Sequence, residues 1–124
     1  EESEDYILDG SGEIEVNSSE RFTLTKKLIS IPKTFTLYQN YPNPFNPATR
    51  ILYDVPQETH IRLTVYDLLG REVSILVNQI EQPGFKTIIW NGRDQSGRTL
   101  SSGIYISRLE TKTFSFSKKM LLLK

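Results

Sequence analysis

The chain of 124 residues contains no cysteine, a single histidine and no long apolar run. The lack of cysteine excludes disulfide bonds and thiolate metal sites. A membrane-spanning helix needs roughly 18 consecutive apolar residues, and no stretch of this chain approaches that length. No segment longer than about 12 residues shows the apolar repeat of an amphipathic helix. We therefore expect an all-β protein that does not span a membrane.

Catalytic chemistry has little support in this composition. His60 is the only histidine, and a triad assembled from Asp54, His60 and one of the serines has no spacing in its favour. No glycine-rich phosphate loop of the required spacing occurs. We expect a surface histidine, no cofactor and no enzymatic activity.

The charges are unevenly distributed along the chain. Eight acids and no base lie in the first twenty residues, although the whole chain has 15 of each and a formal net charge of zero. The remainder is therefore basic, a pattern also found in nucleic-acid-binding proteins. The bases are spread along predicted strands, so we interpret them as solvated strand faces and expect no nucleic acid partner.

Residues 39–47, QNYPNPFNP, organise the rest of the sequence. Pro42, Pro44 and Pro47 lack the backbone donor and fix φ at about −65°, and the residues before them are pushed out of the α region. The segment is therefore predicted to be an extended, irregular connector. Tyr41 and Phe45 are expected to pack onto the following domain and to keep this connector ordered.

Beyond this connector the strand signals come at short, regular intervals. The predicted strands are residues 51–55, 60–66, 73–77, 85–90, 104–109 and 114–123. Within the second strand alternate residues should face the core and the opposite side. They are Ile61, Leu63 and Val65 on the core side and Arg62, Thr64 and Tyr66 on the other. About seven strands without a βαβ pattern indicate an antiparallel β-sandwich.

Two glycines are predicted to hold special backbone positions. Asp67 begins a tight turn in which its side chain can bond nearby amides, and Gly70 supplies the positive φ of a bulged hairpin. Gly103 also follows a turn signal and precedes a strand. A Cβ should therefore be costly at both glycines.

The loop at residues 91–97 superficially resembles a calcium site. Arg93 and Gln95 stand where a calcium loop needs Asp or Asn, so we expect Asp94 to stabilise a turn and no metal to bind. The neighbouring aromatic residues admit two interpretations, core packing, which is the commoner role, or a sugar-stacking platform. They are Tyr53, Trp90 and Tyr105.

Residues 1–33 differ in composition from the rest and are interpreted as the end of an upstream β element plus a linker. Short strands are predicted at residues 7–8, 14–16 and 22–25 around polar turns. The chain begins with neither methionine nor a signal peptide, so we expect a piece of a longer protein. The second unit is then the sandwich of residues 34–124.

Four motifs resemble, in order, those of the C-terminal sorting domains used by the type IX secretion system of Bacteroidetes-like bacteria. They are residues 37–47 (LYQNYPNPFNP), 65–73 (VYDLLGREV), 90–105 (WNGRDQSGRTLSSGIY) and 118–124 (KKMLLLK). The third is also similar to the immunoglobulin-like domain of flagellar hook-capping proteins. The resemblance covers residues 35–124 in register.

This resemblance implies a seven-stranded, immunoglobulin-like sandwich that acts as an address and not as a catalyst. Such domains end secreted enzymes and adhesins and are recognised by the secretion machinery at the outer membrane. In many relatives they are removed near their start while the upstream cargo domain is attached to the cell surface. We therefore expect a secreted or surface protein exported through the periplasm and outer membrane. The alternatives are a carbohydrate- or cell-wall-binding module and a structural spacer.

The basic terminal strand is the predicted recognition element. Lys118, Lys119 and Lys124 should keep their charges in water. Met120 and Leu122 should enter the core, and a strand at a sheet edge would leave backbone groups for a partner to pair with. The alternative is that the lysines only protect that edge from aggregation. The predicted structural motif residues are Tyr41, Pro42, Asn43, Pro44, Phe45, Asn46, Pro47, Asp67, Gly70, Asp94 and Gly103.

Overall fold

A computed structural model of the chain describes residues 6–8 and 28–124, with side chains from residue 30 onward. The described part of the chain contains nine β-strands and no helix. In chain order they are β1 (Tyr6–Leu8), β2 (Leu28–Ser30), β3 (Thr36–Leu37), β4 (Thr49–Val55), β5 (Thr59–Asp67), β6 (Glu72–Glu81), β7 (Gly84–Trp90), β8 (Gly103–Glu110) and β9 (Ser115–Leu122).

Strands β3 to β9 form the two layers of a sandwich. One sheet has three strands in the order β3-β4-β7, and the other has four in the order β6-β5-β8-β9. All neighbouring strands are antiparallel. Buried apolar residues of both sheets form one core cluster between them, because alternate residues of each strand face the other layer. The predicted immunoglobulin-like antiparallel sandwich is confirmed.

The alternation of β5 decides which of its side chains enter this core. The three residues predicted to face inward are fully buried: Ile61, Leu63 and Val65. Thr64 lies on the opposite face, where it stands between Ile75 and Arg108 in the strand register. It is nevertheless fully buried, which the alternation alone does not predict.

The predicted strands beyond residue 47 are all present, with ends that differ by a few residues. Sequence inspection missed β3, whose two residues are too few to show an alternation. The strand predicted at residues 7–8 is β1, and it pairs with β2, a strand that was not predicted. The strands predicted at 14–16 and 22–25 lie outside the described residues.

Candidate functional site

The C-terminal strand β9 lies at the edge of the four-stranded sheet. It pairs with β8 through all eight of its residues. Met120 and Leu122 are buried in the core, as predicted. One edge and one face of β9 are therefore occupied by the sandwich itself.

The three lysines predicted to mark this strand are all exposed. Lys118 and Lys119 are consecutive residues of a strand and so point to opposite faces. Lys124 lies beyond the end of β9, and its backbone N–H donates to Ser102 Oγ at 2.9 Å. The structure does not bring the lysines together into one patch.

The outer edge of β9 is covered by the proline-rich segment, residues 39–47. The Phe45 N–H donates to the Leu121 carbonyl at 2.9 Å, and the Leu123 N–H donates to the Phe45 carbonyl at 3.0 Å. These two bonds form a parallel bridge between Phe45 and Leu122. The first and last motifs of the domain are therefore hydrogen-bonded to each other.

Two side chains of the proline-rich segment complete this cover. Asn43 Oδ1 accepts the Leu121 N–H at 2.9 Å, and Gln39 Nε2 donates to the Lys119 carbonyl at 2.5 Å. The expectation that the edge of β9 offers unpaired backbone groups to a partner is therefore wrong over residues 119–123. The edge is filled from within the chain, which the order of strands does not reveal.

Buried polar side chains shape the proline-rich segment. Thr49 Oγ1 donates to the Pro42 carbonyl at 2.8 Å. Asn40 Nδ2 donates to the same carbonyl at 3.0 Å and to Thr49 Oγ1 at 2.9 Å. The peptide bonds preceding Pro42, Pro44 and Pro47 are cis. The segment is irregular, as predicted, and the hydrogen bonds of Asn40 and Thr49 tie it to β4.

Of the two aromatic anchors predicted in this segment, only one reaches the core. Phe45 is 2% exposed, and its ring centroid lies 5.5 Å from that of Trp90. Tyr41 is 75% exposed, so the prediction that it packs onto the sandwich is wrong. Its backbone pairs with that of Arg50, which places it on the solvent side of the three-stranded sheet. The other predicted structural-motif residues of this segment are exposed: Pro42, Asn43, Pro44, Asn46 and Pro47.

The turn between β5 and β6 is built around one carboxylate. Asp67 Oδ1 accepts the N–H groups of Leu69 and Arg71, both at 2.9 Å, and Oδ2 accepts Arg71 Nε–H at 2.8 Å. The backbone N–H of Arg71 is the largest cause of the lowered pKa of Asp67. Gly70 has φ of +85°, the positive value predicted for it, and Gly103 has φ of +154°. Both are conformations that residues with a Cβ rarely adopt, so a Cβ is costly at both positions, as predicted.

The loop between β7 and β8 contains a turn of the same construction. Asp94 Oδ1 accepts the N–H groups of Ser96 and Arg98, both at 2.9 Å, and Oδ2 accepts Arg98 Nε–H at 3.2 Å. Gly97 has φ of +90°. The N–H of Arg98 is the largest cause of the lowered pKa of Asp94. Asp94 therefore stabilises a turn, as predicted.

The remaining candidates for chemistry are placed as follows. The aromatic residues of the proposed sugar platform are buried in the core, so that interpretation is wrong: Tyr53, Trp90 and Tyr105. His60 is exposed, as predicted. Among the described residues, no three His, Cys, Asp or Glu side chains are grouped so that they could hold a metal ion. The same residues form no helix long and apolar enough to cross a membrane.

Comparison with known proteins assigns this arrangement to a family. The sequence profile of the "Secretion system C-terminal sorting domain" matches residues 39–123, from the proline-rich segment to the end of β9. The chain belongs to the secretion system C-terminal sorting domain family. The sorting domain is a C-terminal signal for type IX secretion and marks proteins for export across the outer membrane to the cell surface or extracellular space. Sorting domains are generally noncatalytic.

Solved structures that resemble this chain include two from Porphyromonas gingivalis. The crystal structure of dimeric latent PorU from Porphyromonas gingivalis superposes with a TM-score of 0.57 at 18% identity, over 77% of this chain and 10% of that one. PorZ, an essential bacterial surface component of the type IX secretion system of P. gingivalis, has a TM-score of 0.49 at 17% identity, over 73% and 11%. The chain thus spans about a tenth of each, and the PorU likeness shows the fold. No curated protein matches the chain.

Several residues that shape the sorting domain escaped sequence inspection. Gln39, Asn40 and Thr49 give no local signal, because their partners are set by tertiary contacts. The repeated turn did leave a signal. The pattern Asp-x-x-Gly-Arg occurs at residues 67–71 and again at 94–98.

Proposed function

We propose that residues 34–124 are the export and surface-anchoring signal of a larger secreted protein whose cargo lies upstream. In this proposal residues 1–33 are the end of an upstream element plus a linker, and the domain itself performs no catalysis. The secretion machinery at the outer membrane reads the basic end of the chain, through Lys118, Lys119 and Lys124. The observation that carries the proposal is that β9 is hydrogen-bonded on both edges, to β8 and to the proline-rich segment.

The contacts of β9 leave few of its groups accessible. Its apolar face is in the core, one edge pairs with β8, and residues 119–123 of the other edge are bonded to the proline-rich segment. Lysine ammonium groups remain in water while their stems lie along the sheet. A partner that reads β9 in the folded domain therefore meets the lysine heads and the strand end. Because β9 is hydrogen-bonded on both edges over residues 119–122, the lysine side chains start from fixed backbone positions.

Substitution of the three lysines by glutamine tests the proposal. The triple variant Lys118→Gln, Lys119→Gln, Lys124→Gln is fused to a reporter and followed in a host that has this secretion route. Circular dichroism and thermal unfolding establish that the variant folds. We expect the reporter to accumulate in the periplasm. Normal export of the folded variant would restrict the lysines to protection of the edge and would overturn the proposal.

A matched control separates the effect of losing the three lysines from the effect of lowering the net charge. Arg50→Gln, Lys86→Gln and Lys112→Gln remove three positive charges elsewhere on the sorting domain. The control should be exported like the parent, since β9 is unchanged in it. Equal loss of export in both triple variants would assign the effect to total charge and not to the terminal strand.

A further inference from the structure

The two Asp-x-x-Gly-Arg turns lie on one cleft. Both line a cavity of about 430 Å³ formed by the end of β5, the start of β6, the loop between β7 and β8, and Tyr105 of β8. The second turn is held to the strand that follows the first. The Gln95 N–H donates to the Val73 carbonyl at 2.8 Å, and Gln95 Oε1 accepts the Ile75 N–H at 2.7 Å. The positions of the two turns are therefore fixed relative to each other.

The acids of this cleft already have their partners. Asp67 and Asp94 each accept two backbone N–H groups and one arginine Nε–H, and their pKa values are lowered, so both remain ionised. Glu72 accepts Arg62 Nη2–H at 2.5 Å. None of these carboxylates depends on a further cation.

The two arginines of the turns use only some of their N–H donors within the protein. Each donates its Nε–H to the aspartate of its own turn, and within the described part of the chain no acceptor meets their Nη–H groups. The side chains of Arg71 and Arg98 are 73% and 78% exposed. Each guanidinium is thus oriented by its inner edge and presents its outer edge to solvent. That outer edge matches a carboxylate in geometry and charge.

The tip of the first turn adds an apolar element. Leu68 is 61% exposed and Leu69 is 78% exposed, and these two consecutive leucines stand beside Arg71. Exposed apolar side chains next to solvent-facing arginines are typical of an interaction surface.

We propose that the two turns form a docking site for an acidic peptide segment of a partner protein. Two of its carboxylates bind the outer edges of Arg71 and Arg98, and an apolar side chain of the same segment covers Leu68 and Leu69. This site goes beyond the proposed function because it uses none of the lysines of β9. It adjoins the chain end, since Ser101 lines the cleft and the next residue holds the N–H of Lys124.

The test is a titration of the 124-residue chain with a defined probe, acetyl-Glu-Leu-Glu-Leu-Glu-amide, followed by NMR of the arginine Nε–H and backbone amide signals. We expect saturable shifts confined to residues 67–71 and 94–98. The double variant Arg71→Lys, Arg98→Lys keeps both positive charges but loses the paired N–H donors of the guanidinium groups. It should weaken binding at least tenfold. Unchanged affinity in that variant, or shifts elsewhere on the domain, would overturn the proposal.

Further variants and a second ligand test whether the site is specific for an acidic peptide with apolar residues. Arg50→Lys, an exposed arginine outside the cleft, is the matched control and should bind like the parent. Leu68→Ser with Leu69→Ser should weaken the probe severalfold, and equal affinity would remove the apolar part of the proposal. Inorganic phosphate bound as tightly as the peptide would show a general anion site and refute a peptide site. Thermal unfolding of each variant shows that the fold persists.

Discussion

Phe45 should account for nearly all the stability that the aromatic residues of the proline-rich segment contribute. Its side chain is 2% exposed and contacts the ring of Trp90. Truncation of a buried phenylalanine to alanine costs about 3–5 kcal/mol, because transfer energy is lost and a cavity remains. Phe45→Ala should lower the free energy of unfolding by that amount. A small domain has only about 5–15 kcal/mol in total.

Tyr41 provides the control within the same segment. Its side chain is 75% exposed, and its bonds to Arg50 are made by the backbone, which alanine retains. Substitutions at exposed sites usually change stability by less than about 0.5 kcal/mol. Tyr41→Ala should therefore leave the unfolding midpoint close to that of the parent.

Urea denaturation measures the free energy of unfolding of both variants, and an m-value equal to that of the parent shows that only stability has changed. With m of about 2 kcal/mol per molar, a loss of about 4 kcal/mol lowers the midpoint for Phe45→Ala by about 2 M. Amide exchange adds a local readout, since the Leu123 N–H donates to the Phe45 carbonyl and should lose protection. Equal costs for the two substitutions, or less than about 1 kcal/mol for Phe45→Ala, would refute the assignment of Phe45 as the anchor of β9.

Two further predictions concern buried hydroxyls and acid stability. Thr64 is fully buried and its Oγ1 has no hydrogen-bond partner among the described residues, so Thr64→Val should be neutral or stabilising by up to about 1 kcal/mol. Thr49→Val, which removes the bonds to Asn40 and Pro42, should cost about 1–3 kcal/mol; thermal unfolding compares the two, and an equal loss would contradict the reasoning. The lowered pKa values of Asp67 and Asp94 mean that their contribution is complete above about pH 4, the unfolded value, and is lost as the pH falls through the folded values. Asp67→Asn with Asp94→Asn should flatten the dependence of the melting temperature on pH between about 2 and 4, and an unchanged slope would show that other groups control acid unfolding.

The sequence by itself determined the local features of this protein. Alternation of apolar residues located the strands because side chains of a strand point to opposite faces at a period of two. The turns at Asp67 and Asp94 were predictable because their hydrogen bonds join residues two and four positions apart. The family motifs stood in order along the chain, and the match over residues 39–123 confirms them.

Tertiary structure alone decided which of these features meet. Tyr41 and Phe45 are both aromatic and both precede or follow prolines, yet only the three-dimensional course of the segment buries one and exposes the other. The bond between Asn43 and Leu121 joins residues 78 positions apart. Nothing in the local sequence at either end specifies such a contact.

The same reason explains the two outcomes that matter most for function. The edge of β9 is covered because the last strand lies beside the proline-rich segment at the start of the domain. The two arginine turns share a cleft because β6 is hydrogen-bonded to the loop after β7. Local periodicity reports which face of a strand is apolar. The pairing of distant segments depends on how all strands fill the core together, and that is settled only in the folded chain.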